Sequence, residues 1–344
     1  VIPLRIVHVV PARRMGAPTV GAITLARWLH GQGHAQAVAP PAPCLEGVPD
    51  GIDVLPWRRQ TVGWIFGGRD RMARTLAAWT PDLIHVHDPA LAGWALAVGR
   101  RMRLPVVASL SAGWRGPGAR RLADRRLAKV LVPTEDHRAE AVARLGIDRE
   151  RVAVLPIPAA GVPAPRPGDG RLVLGADAAD GRGAGIAIVL SALARLRRDG
   201  VLARAVVAVD DARAAGRVAD LARRNQVGDH VVALVDTGAA DLARRCDVVV
   251  VPGPGEPCPL LLAEAQAAGR PVVVAGIGGA AGLIEPGGSG VVVPPGDGPA
   301  VEAALDEVAD AVRRSAMGAC GRRQAADRFA PAVGGAAPHA PNRW

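Results

Sequence analysis

The stretch CDVVVVPGPGEPCPLLLAEAQAAGRPVVVAG (246–276) decides how this chain is read. Its ends, CDVVVVP (246–252) and RPVVVAG (270–276), are short valine runs with the length and β-branching of buried strands. The segment between them reads as an amphipathic helix, so strand, helix and strand make one βαβ unit of a parallel sheet. Glu256 and Glu264, eight positions apart, fall about two helical turns apart and on nearly one face. Glu256 belongs to the loop before the helix and Glu264 to its first turns. The free amides and positive dipole end of that helix suit an anion such as a diphosphate, and the two carboxylates suit the hydroxyls of a sugar. The pattern fits a nucleotide-sugar site.

Read outward from there, the 344 residues are long for one core and sufficient for two. Hydrophobic residues at 49% and charged residues at 22% describe a globular chain rather than a disordered one. Ala, Gly, Pro and Arg dominate, Tyr is absent and Lys129 is the only lysine, so a single arginine carries little information. The formal charge of +10 favours phosphates, nucleic acid or an anionic membrane as partners. Dispersed basic residues, aromatics at 3% and no recognisable nucleic-acid motif argue against nucleic acid. Cys44, Cys246, Cys258 and Cys320 lie far apart without a CxxC pair, which predicts reduced thiols in a cytoplasmic protein and neither a disulfide framework nor a zinc site. The opening VIPLRIVHVV reads as a first buried strand rather than a signal peptide. No apolar run approaches the ~20 residues of a membrane helix.

Further strand-like runs lie at 4–10, 35–40, 82–87, 105–110, 129–133 and 152–156, and again at 171–176, 203–210, 230–234 and 290–295. Helical stretches alternate with them; VGAITLARWLHGQG (20–33), for instance, ends in glycine as a helix C-terminus should. The Pro- and Gly-rich PIPAAGVPAPRPGDG (156–170) separates the two series. The expected organisation is a first domain at 1–160, a linker at 161–170, a second domain at 171–328 and a frayed tail at 329–344. Two doubly wound α/β domains joined in this way leave a central cleft between the carboxyl edges of their sheets, where ligands bind.

Several motifs in order carry a family resemblance. They are MGAPTVGAITLARWLHGQGHAQAVAP (15–40), PDLIHVHDP (81–89), RVAVLPIPAAG (151–161), EPCPLLLAEAQAAGRPVV with its Glu-x7-Glu spacing, and GIGGAAGLIEPGGSGVVVPPGD (276–297). Together they resemble the retaining glycosyltransferases of family 4, the group 1 glycosyltransferases, over residues 4 to 330. The resemblance implies the GT-B fold, with two Rossmann-like domains facing a cleft. It also implies transfer of a sugar from a nucleoside diphosphate sugar to an acceptor hydroxyl with retention. No metal and no cofactor are expected, the nucleotide sugar being a substrate.

By the same resemblance Glu256 contacts the transferred sugar and Glu264 holds the ribose hydroxyls. Cys258, Pro259 and Leu260 take positions whose backbone amides face the donor, although Pro259 has no N–H to give. Arg182 stands near a phosphate-clamping lysine position, while Ala176 stands where an arginine is expected. Gly16 matches the first glycine of the N-domain turn, with Ala17 in place of a second. Ser111 occupies the place of a histidine near the reacting sugar. Acceptor-side residues are His87 and Asp88.

Other features are read more plainly. His85 and His87 alternate along a strand and are expected on opposite sides of it, with His85 in the core. No third ligand is evident to make a metal site with them. Cys258 reads as a small buried hydrophobe rather than a nucleophile. Asp210 and Asp211 read as a strand-end turn rather than an acidic metal motif. Gly276 to Ala281 fits a loose GxGxxA dinucleotide fingerprint, but it follows a late strand and no ribose-binding acid follows it. The basic RRQTVGWIFGGRDRMARTLAAW (58–79), with Trp64, Ile65 and Phe66, suits either an anionic membrane surface or a cover over the sheet. The acceptor is a small molecule, a lipid-linked carrier or a glycan. The substitutions at Ala176, Pro259 and Ser111 leave a second reading open, a non-catalytic relative that binds nucleotide sugar or pairs with an active subunit.

Overall fold

The structure is a computed structural model. It describes residues 2–11, 17–40, 48–56, 68–110, 119–156, 159, 170–178, 184–235, 237–253 and 258–328, without the side chains of 17, 18, 68–72, 280 and 281. Within these residues the β-branched runs pair into two wholly parallel sheets. The first holds β1 (Arg5–Val9), β2 (Ala35–Ala39), β3 (Ile52–Val54), β4 (Leu83–Val86), β5 (Val106–Ser109), β6 (Lys129–Val132) and β7 (Val152–Val154), in the order β3-β2-β1-β4-β5-β6-β7. The second holds β8 (Leu172–Asp177), β9 (Ala203–Val209), β10 (Val231–Val235), β11 (Val248–Val251), β12 (Val272–Ala275) and β13 (Gly290–Val293), in the order β10-β9-β8-β11-β12-β13. In each sheet the first strand lies inside, the chain winds to one edge, and it returns to wind the other way. That puts a switch point between β1 and β4 and another between β8 and β11.

Ten helices cover the described sheets: α1 (Ala17–Gly31), α2 (Gly68–Trp79), α3 (Ala92–Met102), α4 (Glu135–Leu145), α5 (Ala184–Arg198), α6 (Ala212–Arg224), α7 (Ala239–Arg245), α8 (Pro259–Ala267), α9 (Gly298–Ala309) and α10 (Ala311–Arg328). Side-chain caps set several of their starts. Thr134 accepts the His137 amide at 3.2 Å before α4, and Asp211 accepts the Ala214 amide at 2.7 Å before α6. Asp211 is thus the cap of a strand-end turn, as the sequence suggests. Each sheet has its own aliphatic core: Val7, Ile84, Val98 and Val130 in the first, Leu174, Leu190, Leu193 and Leu305 in the second. Full burial of such side chains stabilises by about 1.5–3 kcal/mol each.

Twelve of the thirteen strands are the runs read from the sequence. The missed one, β3, is a three-residue edge strand in GIDV, too short to show a period. The two halves touch where the first turn of α4 meets the 3-10 turn Gly278–Leu283. Thr134 Oγ1 lies 3.5 Å from the Gly279 carbonyl, and a Cβ on Gly279 would run into the buried His137 ring. A Cβ on Gly282 would likewise meet the Asp136 carboxylate. Gly279 of the GxGxxA segment, and Gly282 just after it, are therefore needed for close packing between the halves, which accounts for them without a dinucleotide. The expected linker at 161–170 lies outside the described residues up to residue 169, and the tail 329–344 lies wholly outside them.

Candidate functional site

The second switch point is built from helix ends. Residue 253, just past β11, is a glycine, and a Cβ on Gly185 at the start of α5 would stand 3.0 Å from its Cα. The amino end of α5 is thus pressed against the exit of β11. The amino end of α8 opens only a few residues further along the chain. Cys258 is the N-cap of α8 and Pro259 its first residue, where a missing N–H costs nothing because that donor has no partner within the helix. The first backbone bond of α8 runs from Leu262 N to Cys258 O at 3.3 Å. The amides of Leu260 and Leu261 precede it and are the donors this end offers.

The expected amphipathic character of α8 is not what the structure shows. Every residue from Pro259 to Gln266 is buried, so α8 is a core helix packed on all sides. Leu260 is buried with them, and its contribution to the edge is its amide. Glu264 has no exposed surface at all. A carboxylate held there is not a solvated surface residue, since burying such a charge is costly without specific partners. Gln266, two residues on, donates Nε2 to the Leu283 carbonyl at 2.8 Å and so ties α8 to the turn that meets the first half. The buried Arg270 donates Nε to the Ala243 carbonyl at 3.2 Å and anchors the far end of the helix.

Cys258 is partly buried. Desolvation pushes its thiol up to about 11, with the Asp177 carboxylate at the end of β8 acting in the same direction and the Leu261 and Leu260 amides opposing both. At neutral pH it is a protonated thiol and a poor nucleophile. Cys246 is fully buried and pushed to about 12, again by desolvation. Cys246, Cys258 and Cys320 are all free. Ala176 is fully buried in β8, so the residue that stands where an arginine was expected brings no charge to the edge.

The first switch point is built from imidazoles. Parallel pairing of β1 with β4 sets His8 opposite His85, and His87 follows one residue past β4. His8 Nδ1 lies 2.9 Å from His87 Nε2, His8 Nε2 lies 2.8 Å from Gln36 Oε1, and His85 Nε2 lies 2.6 Å from Ser109 Oγ. Ring centroids are 5.2 Å apart for His8 and His85, 5.1 Å for His8 and His87, and 4.0 Å for His85 and His87. All three rings are buried, at 0–4% exposure. Desolvation holds all three below the ordinary histidine range, His8 at about 4, and for His85 and His87 the neighbouring imidazoles act in the same sense. All three are neutral at pH 7.

Two expectations are corrected here. His85 and His87 are not on opposite sides of their strand, because successive residues alternate and positions two apart share a face. A third histidine does converge on them. It is His8, which linear spacing could not reveal because it comes from β1. The available signal was a mid-strand histidine in each of two runs that a doubly wound order makes neighbours. His87 is accordingly packed inside this cluster. Asp88 is partly exposed and its Oδ1 accepts the Ala90 amide at 2.7 Å, capping a 3-10 turn at Pro89–Leu91.

The structure therefore gathers Cys258, Pro259, Leu260 and Glu264 at one switch point and His87 with Asp88 at the other. Glu256, Arg182, Ser111 and Gly16 lie outside the described residues, as do Trp64, Ile65 and Phe66. Of the basic segment, Trp79 is 9% exposed, donates Nε1 to Asp53 Oδ2 at 2.7 Å and lies under the Arg5 guanidinium at 4.5 Å. That end of it covers the sheet. No helix among the described residues is long and apolar enough to cross a membrane.

Comparison with known proteins matches both halves. Residues 19–158 fit the model of glycosyltransferase family 4, and residues 172–311 fit that of glycosyl transferases group 1. A D-inositol 3-phosphate glycosyltransferase of Stackebrandtia nassauensis is 40% identical over 114 residues, which are 32% of this chain and 26% of that protein. The match thus spans about a quarter of that relative's length. A glycogen synthase of Mycobacterium tuberculosis is 27% identical over 319 residues, covering 79% of this chain and 76% of that one. Among solved structures, a glycosyltransferase from Rickettsia africae superposes with a TM-score of 0.77 at 16% identity, over 96% of this chain and 95% of its own. Anabaena HepE in complex with UDP and glucose gives 0.78 at 18% identity, over 95% and 96%.

Proposed function

We propose that this chain, which belongs to the group 1 glycosyltransferases of family 4 type and has their GT-B fold, moves a sugar from a nucleoside diphosphate sugar to an acceptor hydroxyl with retention of configuration. The observation that carries the reading is Glu264. It is a carboxylate with no exposed surface, set in the first turns of a helix whose amino end opens at the carboxyl edge of β8 and β11. In this reading Glu264 accepts the two ribose hydroxyls, and the Leu260 and Leu261 amides face the diphosphate with the positive ends of α8 and α5 behind them. Arg182 adds a planar cation to the phosphates and Glu256 holds the hydroxyls of the departing sugar. The acceptor enters from the first sheet, past Gly16, Asp88 and Ser111, with His87 behind them.

The bond from the anomeric carbon to the diphosphate oxygen breaks as the acceptor oxygen bonds to the same face of that carbon. The acceptor proton passes to the departing phosphate oxygen. Positioning and electrostatics supply the acceleration, and no metal is required for the step. The reading places the protein in the cytoplasm. It leaves the acceptor open among small molecules, lipid-linked carriers and glycans, and allows contact with an anionic membrane face. UDP is the first nucleotide to try, because HepE holds it in the same fold.

Calorimetric titration with UDP, GDP and ADP tests the donor site. Micromolar binding of one of them, weakened at least tenfold in Glu264→Gln, is the expected result, and proton NMR of the glycoside formed then reads retention or inversion. Failure of all three nucleotides to bind would replace this reading with the second, a non-catalytic relative. The buried Ala176 and the Asp177 carboxylate near the α8 amino end are the observations that favour that alternative.

A further inference from the structure

We propose that His8, His85 and His87 form a binding site for a single divalent transition-metal ion, Zn2+ first among them, at the switch point of the N-terminal sheet. One nitrogen from each imidazole can be chosen so that all three lie within 4.8 Å of one another. A tetrahedral ion with bonds of about 2.1 Å requires ligand nitrogens about 3.4 Å apart. His8 Nδ1 and His87 Nε2, at 2.9 Å, are already near that spacing. Rings radiating from such an ion have centroids about 5 Å apart, and His8 stands 5.2 Å from His85 and 5.1 Å from His87. Only the 4.0 Å between His85 and His87 has to open, by a tilt of one ring.

The surroundings match what metal-bound histidines need. A ligand imidazole binds through one nitrogen and gives the N–H of the other to an oxygen, which fixes ring and tautomer. Gln36 Oε1 accepts in this way from His8 Nε2 and leaves the Nδ1 lone pair for the ion. Ser109 Oγ takes the same part on His85 Nε2 and leaves its Nδ1. Both oxygens come from strands flanking the pair, β2 and β5, so two ligands and both supports stand on the sheet, with His87 one residue past the end of β4. In the metal-free cluster His8 Nδ1 and His87 Nε2 share one hydrogen, which His87 holds on Nδ1 instead when the ion binds. Three imidazole nitrogens select zinc, cobalt, nickel or copper over magnesium and calcium, which take oxygen ligands. A water fills the fourth position. The ion would pin β1 to β4 at the point where the sheet reverses, and it takes no part in the sugar transfer proposed above.

The test uses the full chain, stripped with a chelator and dialysed. Zn2+ titrated by calorimetry should bind one per chain and raise the melting temperature by about 5 °C at a hundredfold excess over Kd. Co2+ should give the intense visible absorption of a four-coordinate site. His8→Gln and His85→Gln should each weaken Zn2+ at least a hundredfold. Because either variant could unfold, the Co2+ spectrum of the unaltered chain stands as an independent reading. Absence of Zn2+ uptake, the faint spectrum of six-coordinate Co2+, or unchanged affinity in folded His8→Gln would each overturn the proposal.

Discussion

Strands β1 and β4 set His8 opposite His85, whereas β8 and β11, which hold the same places in the second sheet, set Leu174 opposite Val248 and Gly175 opposite Val249. At Gly175 even a Cβ is excluded, since it would stand 2.6 Å from the Cys246 sulfur. The first half thus fills its switch point with polar rings that satisfy one another. The second closes its own with aliphatic contact and places the buried Glu264 one layer out on α8. The same winding permits both because strand order fixes where an edge lies but not what lines it. The edge dressed with helix ends suits an anion, and the edge dressed with neutral imidazoles suits hydroxyls or a metal cation.

The largest effect should come from removing the buried carboxylate of the second half. Glu264→Ala deletes both acceptors for a diol and leaves a void in α8, so sugar transfer should fall by about a hundredfold or more, as two charged hydrogen bonds imply. Steady-state kinetics with the donor identified by calorimetry would measure it. A variant that keeps full turnover would move the donor edge away from α8.

Next in size is an attempt to make the first half resemble the second. His8→Val should cost about 3 kcal/mol in urea unfolding, because it leaves Gln36 Oε1 and His87 Nε2 buried without their partner. Replacing His8, Gln36, His85 and Ser109 together by aliphatic residues should cost less than the sum of the single changes, since partners removed together leave no orphan. Additive costs would show that these groups do not form one network.

How far each half was legible follows from the same contrast. Valine runs in the second sheet announce strands one by one, and Glu-x7-Glu lies within one βαβ unit, so strands and carboxylates are visible at short range. The imidazole cluster is assembled from β1, β2, β4 and β5, and no window of sequence contains it. Its missed member, His8, sits in a run that reads as apolar. The expectation for α8 failed for a related reason. A helix flanked by α7, α10 and the Gly278–Leu283 turn is buried all round, and amphipathic periodicity cannot foretell how many neighbours will cover it.

Acid should separate the halves by a comparable amount. In metal-free protein burial holds His8 at about 4 when folded against about 6.5 when unfolded, with His85 and His87 also lowered and no carboxylate among the described groups that act on its ring. Between these values the unfolded chain binds a proton that the folded chain refuses, so stability is full above pH 6.5 and falls as pH drops toward 4. For His8 alone the loss is about 3 kcal/mol. The described buried histidines all belong to the first half. Hydrogen exchange at pH 7 and pH 5 should therefore show protection lost from β1 and β4 before β8 and β11. Simultaneous loss in both halves would mean that they unfold as one unit.

The contact between the halves sets a smaller effect. Gly279→Ala drives a methyl into the His137 ring and should lower stability by about 1–2 kcal/mol. Gly216→Ala, in α6 with open space around it, should act in the opposite sense by about 0.5–1 kcal/mol. Melting curves of the two variants should move apart. If Gly279→Ala melts like the parent, the turn and α4 do not bear on one another in solution.

The smallest effect belongs to the residue at the mouth of the aliphatic half, and it decides whether that mouth is reactive or only shaped. Cys258 caps α8, a place where amides and dipole would ordinarily favour a thiolate, yet burial and the Asp177 carboxylate outweigh them and hold it near 11. At pH 8 its thiolate fraction is then about a hundredfold below that of a free thiol near 9. Iodoacetamide followed by mass spectrometry should label Cys258 about a hundredfold more slowly in the folded chain than in urea, and Cys258→Ser should hold turnover within about threefold. Labelling at equal rates would show that the α8 amides win over burial and Asp177, and that the second switch point holds an activated sulfur where packing alone was expected.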